Sequence, residues 1–329
     1  DAFIADRLGG RFATDLSTAS RTQLLAVGGR DWDAALLASF GLRREWLPAV
    51  GPSFGALGEL RSERWPQPLA LGAQLVDQQA ALAGSGAVHP GELKATYGTG
   101  VFVLGRTAGP VSARGLLPTV AWAAPDATGG VGTVAHALDG GVFAAGALLD
   151  WLAEQLGLAP NAAALAATAA TVDDSAGVIV LPALSGIGAP WWLPGAHGVI
   201  AGLHAGARAG HIARGALEAI AWRVADIVEA MAGAVPVAGV RADGGLSNDG
   251  TLMRIQADAL GVPLEVGSAD VTVRGAAMLA GVGAGVFASV EDAAQLLPRG
   301  RVVEAEADAQ QRASSRERWR EFVARAAQL

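Results

Sequence analysis

The sequence predicts an α/β fold, and three observations carry that reading. Apolar runs of strand length, residues 178–184 and 237–242 among them, alternate with helix-period segments such as residues 211–231. Glycine and proline punctuate nearly every junction between them. The composition is 51% hydrophobic and 17% charged with a mean hydropathy of +0.35, which leaves ample apolar surface for a buried core. At 329 residues the chain suits two domains, or one large domain plus part of another.

Taken in order, residues 2–8 set Phe3, Ile4 and Leu8 at helix-face spacing and stop at Gly9-Gly10. The chain opens directly into that helix, on Asp1 rather than Met, so an upstream portion is expected to precede it. Residues 12–15 read as a strand-like entry into a loop, residues 33–40 as a helix stopped by Gly41, and residues 47–58 as a loop. An apolar strand over 69–76 delivers Asp77 to the start of a helix over 78–83. Gly84-Ser85-Gly86 then marks a domain boundary that divides 1–86 from 87–329.

Residues 96–104 form an expected hairpin whose tight turn holds Gly98 and Gly100. Strands and turns continue to residue 133, followed by a helix over 142–156 and an alanine-rich stretch to 171. The strand over 178–184 leads into the loop 185–192, a short strand over 198–203 and the long helix 211–231. The strand 237–242 feeds Asp243-Gly244-Gly245, and the helix 252–260 closes at Gly261. A strand over 263–266, a Gly/Ala-rich helix over 274–286 able to pack closely, and a charged tail helix over 308–329 complete the chain.

Several function classes are disfavoured at once. A formal net charge of −7 argues against a nucleic-acid partner, because binding phosphate backbones needs a basic surface. The apolar runs are too short and too broken to cross a membrane. With no cysteine there is no disulfide, thiolate metal site or thiol nucleophile, and with no secretory leader read at the start the expected address is cytoplasmic. A single lysine, Lys94, stands among 24 basic residues, between Leu93 and Ala95, so no Gly-Lys-Ser/Thr phosphate loop exists.

Two stretches carry candidate chemistry. Asp77 offers a carboxylate suited to deprotonating a hydroxyl, with a helix N-cap as the plain alternative. Tyr97-Gly98-Thr99-Gly100 offers backbone and a hydroxyl to a phosphate, against a simple hairpin turn. Asp243-Gly244-Gly245 ends a strand where a nucleotide can lie, or where strand and helix pack closely. Gly51-Pro52-Ser53-Phe54-Gly55 matches a hydrolase elbow in letters only, because it follows Leu47-Pro48 instead of a core strand. The five histidines lack metal-ligand spacing, and Trp191-Trp192 reads as core or interface.

Together and in order, Asp77 to Leu82 (DQQAAL), Thr96 to Gly100 (TYGTG), Ala145-Gly146-Ala147, Ser185 to Trp191 (SGIGAPW), Gly198 to Leu203 with His211-Ile212-Ala213, and Asp243-Gly244-Gly245 with Gln256-Ala257-Asp258 resemble the FGGY carbohydrate kinases, with the glycerol kinases as the nearest branch. The resemblance covers nearly the whole chain and implies an actin-like, ribonuclease-H-like ATPase fold. It implies a complete second, nucleotide-binding domain plus the C-terminal part of the first. It also implies Asp77 as the catalytic base, with Gln78 and Phe102 on the substrate. Thr99, Gly100, Gly146, Asp150, Gly244, Gly245, Leu246 and Asp249 are implied on ATP, with Mg²⁺ bridging the phosphates. Asp150, Leu246 and Asp249 depart from the family's usual glutamine, alanine and asparagine. The family's first phosphate loop and polyol-gripping residues have no counterpart in this sequence, so weak or absent activity of this chain alone is expected. The acceptor, a polyol or sugar, is left open, as is a homo-oligomer. A nucleotide-binding scaffold and, less favoured, an actin-like ATPase are the alternatives.

Overall fold

The computed structural model describes residues 1–267 and 270–328. A seven-stranded mixed sheet organises them: β1 (Glu92–Tyr97), β2 (Val101–Thr107), β3 (Leu117–Pro125), β4 (Val131–Val142), β5 (Gly239–Asp243), β6 (Leu264–Val266) and β7 (Arg301–Val303). Across the sheet the order is β7-β6-β5-β1-β2-β4-β3, with β5 parallel to both its neighbours and every other pair antiparallel. The helices that matter for the site and its support are α1 (Asp77–Gly84), α2 (Gly146–Glu154), α3 (Ala209–Ala232), α4 (Gly250–Leu260), α5 (Val271–Gly283) and α6 (Ala309–Ala326).

Side-chain alternation along β1 and β2 divides the molecule into layers. Leu93, Ala95, Tyr97, Val101 and Val103 join Leu149 of α2 and Ile220, Val224 and Ile227 of α3 in the larger core. Leu104, on the other face, joins Leu82 and Ala83 of α1 and Leu279 of α5. There α1 and α5 cross with their backbones touching. A Cβ on Gly84 would stand 1.9 Å from the Val271 carbonyl oxygen, and one on Gly275 would stand 1.8 Å from that of Ala80. Only glycine permits that approach.

At the far side, α6 docks on α3 through Asp226, which accepts from Arg223 (2.7 Å) and from the indole N–H of Trp319 (3.2 Å) and pairs with Arg316. The segment before α1 is short-stranded. Ala13–Asp15 pairs in parallel with Ala49–Gly51, and Asp15 caps the helix Leu16–Ala19.

Several elements differ from the sequence expectation for identifiable reasons. The strand expected over 69–76 shrinks to Leu69–Ala70, exposed and paired only with Glu59–Leu60. Residues 71–76 instead form a loop toward Asp77, tied by Gln74 N–H to the Ser53 carbonyl (2.9 Å) and Val76 N–H to Ser17 Oγ (3.3 Å). The helix expected from residue 142 starts at Gly146 because β4 keeps pairing as far as Val142, opposite Val101. The helix expected from 274 begins three residues earlier, at Val271. The tail helix runs Ala309–Ala326 behind Asp308 as cap, and Leu329 at its expected end lies outside the described residues.

Candidate active site

Asp77 is the first residue of α1, not its cap. Val76 holds the cap position with no side-chain bond, and among the described residues the exposed Asp77 carboxylate accepts only the Gln78 N–H (2.7 Å). The plain capping explanation for this residue therefore does not apply. An anionic side chain here also suits the positive end of the helix. Gln79 turns the other way, buried, with its amide N–H on Thr119 Oγ1 and the Val120 carbonyl (both 3.3 Å), and so anchors α1 on β3.

Gln78 leads to a buried polar cluster. The Lys94 ammonium, 0% exposed, donates to Gln78 Oε1 (2.5 Å) and to Thr96 Oγ1 (2.7 Å), and Thr96 in turn donates to Asp243 Oδ1 (2.6 Å). Burial pulls Lys94 from 10.5 down to about 8, against the opposing charges of Asp243, Asp139 and Asp77. Burial likewise pushes the Asp243 carboxyl up, with Lys94 and Thr96 opposing, and its Oδ2 finds no hydrogen-bond partner among the described residues. Asp139 on β4 is pushed up by burial too, offset first by Arg21, whose guanidinium lies 2.6 Å away.

Phe102 stands opposite Thr96 in the β1/β2 register and is 43% exposed, an aromatic surface on the same face as Lys94 and Thr96. Gly98-Thr99-Gly100 is the three-residue loop between the paired Tyr97 and Val101. Positive φ is not the reason for its glycines, since neither Gly98 nor Gly100 has one. Gly100 is needed because a Cβ would meet the Val142 carbonyl at 2.4 Å. The loop also caps α2: Ala145 and Ala147 N–H donate to the Thr99 carbonyl (2.9 and 3.0 Å) and Gly146 N–H to that of Gly98 (3.0 Å). The Thr99 side chain is left exposed, and Asp150 is exposed one turn beyond Gly146 on α2.

At the end of β5, Gly244 has a φ of 93°, and a Cβ there would lie 2.4 Å from the Tyr97 carbonyl oxygen, so backbone packing dictates this glycine. Gly245 is different: it is exposed and a Cβ would meet nothing within 4 Å. Leu246 packs against the larger core, and Asp249 caps α4 through the Leu252 N–H (2.7 Å). Tyr97, whose hydroxyl burial holds well above its usual value, donates to Gln256 Oε1 of α4 (2.8 Å) and so braces this corner from behind.

The carboxyl ends of β1 and β5, the hairpin loop and the starts of α1 and α2 thus share one edge of the sheet, the place where open α/β sheets take ligands. The sequence profile of the FGGY family of carbohydrate kinases matches at both ends of this arrangement, its N-terminal domain over residues 1–84 and its C-terminal domain over residues 93–284. The chain belongs to the FGGY family of carbohydrate kinases. Its relatives include a glycerol kinase of Geobacter sp. (strain M21), 44% identical over 286 residues, and one of Gloeobacter violaceus, 42% identical over 313. These alignments take in 86% and 92% of this chain but 57% and 61% of the relatives, so the chain spans about three fifths of their length. The crystal structure of Plasmodium falciparum glycerol kinase with ADP superposes with a TM-score of 0.88 at 28% identity, over 99% of this chain and 65% of that one. The mixed sheet and its helices are the FGGY kinase version of the actin-like ATPase fold.

Within this FGGY chain, sequence reasoning missed Lys94, which was notable only as the one lysine. The signal was available in the alternation Leu93-Lys94-Ala95-Thr96-Tyr97, which puts two polar side chains on the face opposite the core. The Gly-x-Ser-x-Gly stretch is structural. Ser53 is fully buried, donates to Asp15 Oδ2 (2.6 Å) and accepts from Ala123 N–H (2.9 Å). Trp191 packs on the larger core with the Arg223 guanidinium 4.8 Å from its ring centroid. Among the described residues no three His, Asp or Glu side chains converge as a metal cage, and no helix is long and apolar enough to cross a membrane.

Proposed function

We propose that this chain carries the base and nucleotide sides of an ATP-dependent polyol kinase of glycerol kinase type. The observation that supports it best is the exposed, uncapped Asp77 carboxylate at the start of α1, on the sheet edge that also presents Phe102, Thr99 and Gly245. Asp77 takes the proton of a terminal hydroxyl, whose oxygen forms a bond to the γ-phosphorus as the bond to the β–γ bridging oxygen breaks and ADP departs. Gln78 orients the polyol and Phe102 covers its carbon side. Thr99 and Gly100 face the phosphates, while Gly146, Asp150, Gly244, Gly245, Leu246 and Asp249 form the nucleotide side.

Mg²⁺ fits this site as a passenger of ATP. It would keep water and phosphate oxygens as ligands and would need no dedicated protein cage. When bound it neutralises charge on the transferring phosphoryl group. The division of labour follows the proposed boundary, with residues 1–86 giving the base and residues 87–329 the nucleotide side. A soluble ATP-using kinase of this kind belongs in the cytoplasm, and its acceptor is a polyol or sugar with a free terminal hydroxyl.

The test is phosphorylation of glycerol by the full chain with MgATP, followed by nucleotide binding. Asp77→Asn is expected to lose at least about a hundredfold in turnover, the usual weight of a general base, while binding ATP as before. Near-normal phosphorylation by that variant would sink the assignment. ATP binding by the unaltered chain without any phosphorylated product favours a nucleotide-binding relative instead.

A further inference from the structure

We propose that Lys94 is a positioning residue for this phosphoryl transfer: its ammonium fixes Gln78 with the amide NH₂ free for the polyol and, through Thr96, ties the start of α1 to Asp243 beside the nucleotide turn. The inference rests on the kinase reading above and extends it to a residue that touches no substrate.

The geometry constrains the amide. An ammonium only donates, so the atom of Gln78 at 2.5 Å from Lys94 Nζ must be the carbonyl Oε1. That leaves the NH₂ as the free end of Gln78, a donor able to meet a hydroxyl oxygen next to Asp77, which needs the same hydroxyl's proton. Asp77 and Gln78 then hold one hydroxyl from complementary sides. Turned over, the amide would offer the substrate an acceptor in competition with the base. The second arm of Lys94 runs through Thr96 Oγ1 to Asp243 Oδ1, and Asp243 directly precedes Gly244, which is packed on the Tyr97 carbonyl. One buried cation thus links the polyol side to the nucleotide side through Thr96, whose bond to Asp243 spans 147 residues of sequence.

A purely structural role accounts poorly for this arrangement. Removing a cation wholly from water is expensive, and an apolar residue of similar size generally serves stability as well or better. The charges that oppose the effect of burial on Lys94 come from three elements: Asp77 on α1, Asp243 on β5 and Asp139 on β4, the last paired with Arg21. Lys94 feels the opposing charge of three carboxylates but hydrogen-bonds to two neutral groups, Gln78 and Thr96.

Because Lys94 is the only lysine, protein made with ¹³C,¹⁵N-lysine gives a single side-chain signal to follow by NMR. In the full chain its titration midpoint is expected at about 8, and to fall further in Gln78→Leu and in Asp243→Asn, which remove an acceptor and an opposing charge. A midpoint at the 10.5 of a free lysine, or one that neither substitution moves, overturns the proposal. Glycerol binding by calorimetry supplies the second arm. Lys94→Met is expected to weaken it at least about tenfold, as loss of a charged hydrogen bond does. The Lys94→Met/Gln78→Leu double variant should then bind no more weakly than Gln78→Leu alone. The wild-type affinity should fall as pH rises through the lysine midpoint, and Lys94→Met should lack that dependence. Additive losses, or unchanged binding by Lys94→Met, overturn it. A wild-type chain that binds neither glycerol nor MgATP overturns the kinase reading, and the lysine titration, which needs no ligand, then decides the Lys94 tie by itself.

Discussion

Lys94 illustrates how a site residue loads the fold that contains it. Folded, its ammonium titrates at about 8, whereas the unfolded side chain titrates at 10.5. Between those values the unfolded chain keeps a proton that the folded chain has released, so this group makes stability rise with pH from about 8 to 10.5. Below about pH 8 both states hold the proton and the burial cost is present in full, on the order of 3 kcal/mol. Chemical denaturation at pH 7.5 and pH 9.5 should therefore show a gain in the wild type that Lys94→Met lacks. Equal pH dependence in the two proteins would mean that water reaches Lys94 freely. The sequence marked this residue by its uniqueness, but its partners are set by pairing: the Arg241↔Lys94 and Asp243↔Thr96 register joins segments far apart in the chain. No local pattern encodes that register, so the motif could name Asp77 and Gln78 as candidates while the ammonium that binds Gln78 stayed unread.

At the scale of elements, the α1/α5 crossing decides where Asp77 and Gln78 stand. The Gly/Ala-rich character of residues 274–286 announced a closely packed helix, whereas its partner was not legible, because Gly84 reads locally as a helix stop. The two glycines interlock, each occupying space beside the other helix's backbone carbonyl. Gly275→Ala is expected to force the helices apart and to cost about 3 kcal/mol or more, as overpacking against unyielding backbone does. Gly239→Ala on β5 is the matched control, since a Cβ there meets nothing within 4 Å, and it should stay within about 0.5 kcal/mol of the parent. Urea midpoints at constant slope measure both. The same contrast explains the strand that was expected over 69–76 and did not form. Its apolar letters suit burial, but regular pairing with Glu59–Leu60 stops after Leu69 and Ala70, and Leu71 to Gln74 keep only irregular backbone bonds to residues 53–58, where Gly55 and Gly58 turn the partner segment at φ of 130° and 114°.

For the whole molecule, the sheet separates support from chemistry. One face is closed by α2 and α3 over the larger core, while the other carries α1 and the Lys94 cluster, and the candidate ligand groups gather at the shared edge. Alternating strands and helices made that α/β layering legible, and the ordered motifs supplied the candidate groups that the fold brings to one edge. What they did not separate is which glycines serve the fold and which serve a ligand, because that depends on what faces each Cα. Gly100, Gly146 and Gly244 each have a backbone oxygen within 2.7 Å of where a Cβ would sit, and Gly245 has no atom within 4 Å. Gly245 is therefore the position at which ligand binding and folding can be tested apart. A ligand at about a hundredfold its dissociation constant adds about 2.7 kcal/mol to the unfolding free energy. MgATP at that excess should raise the wild-type unfolding temperature. Gly245→Ala should unfold within a few degrees of wild type when free yet lose most of the MgATP increment, because under the proposed function its new methyl group would project toward the nucleotide. A free Gly245→Ala protein that is itself strongly destabilised would show that this glycine belongs to the packing. A full MgATP increment in that variant would move the nucleotide away from the end of β5.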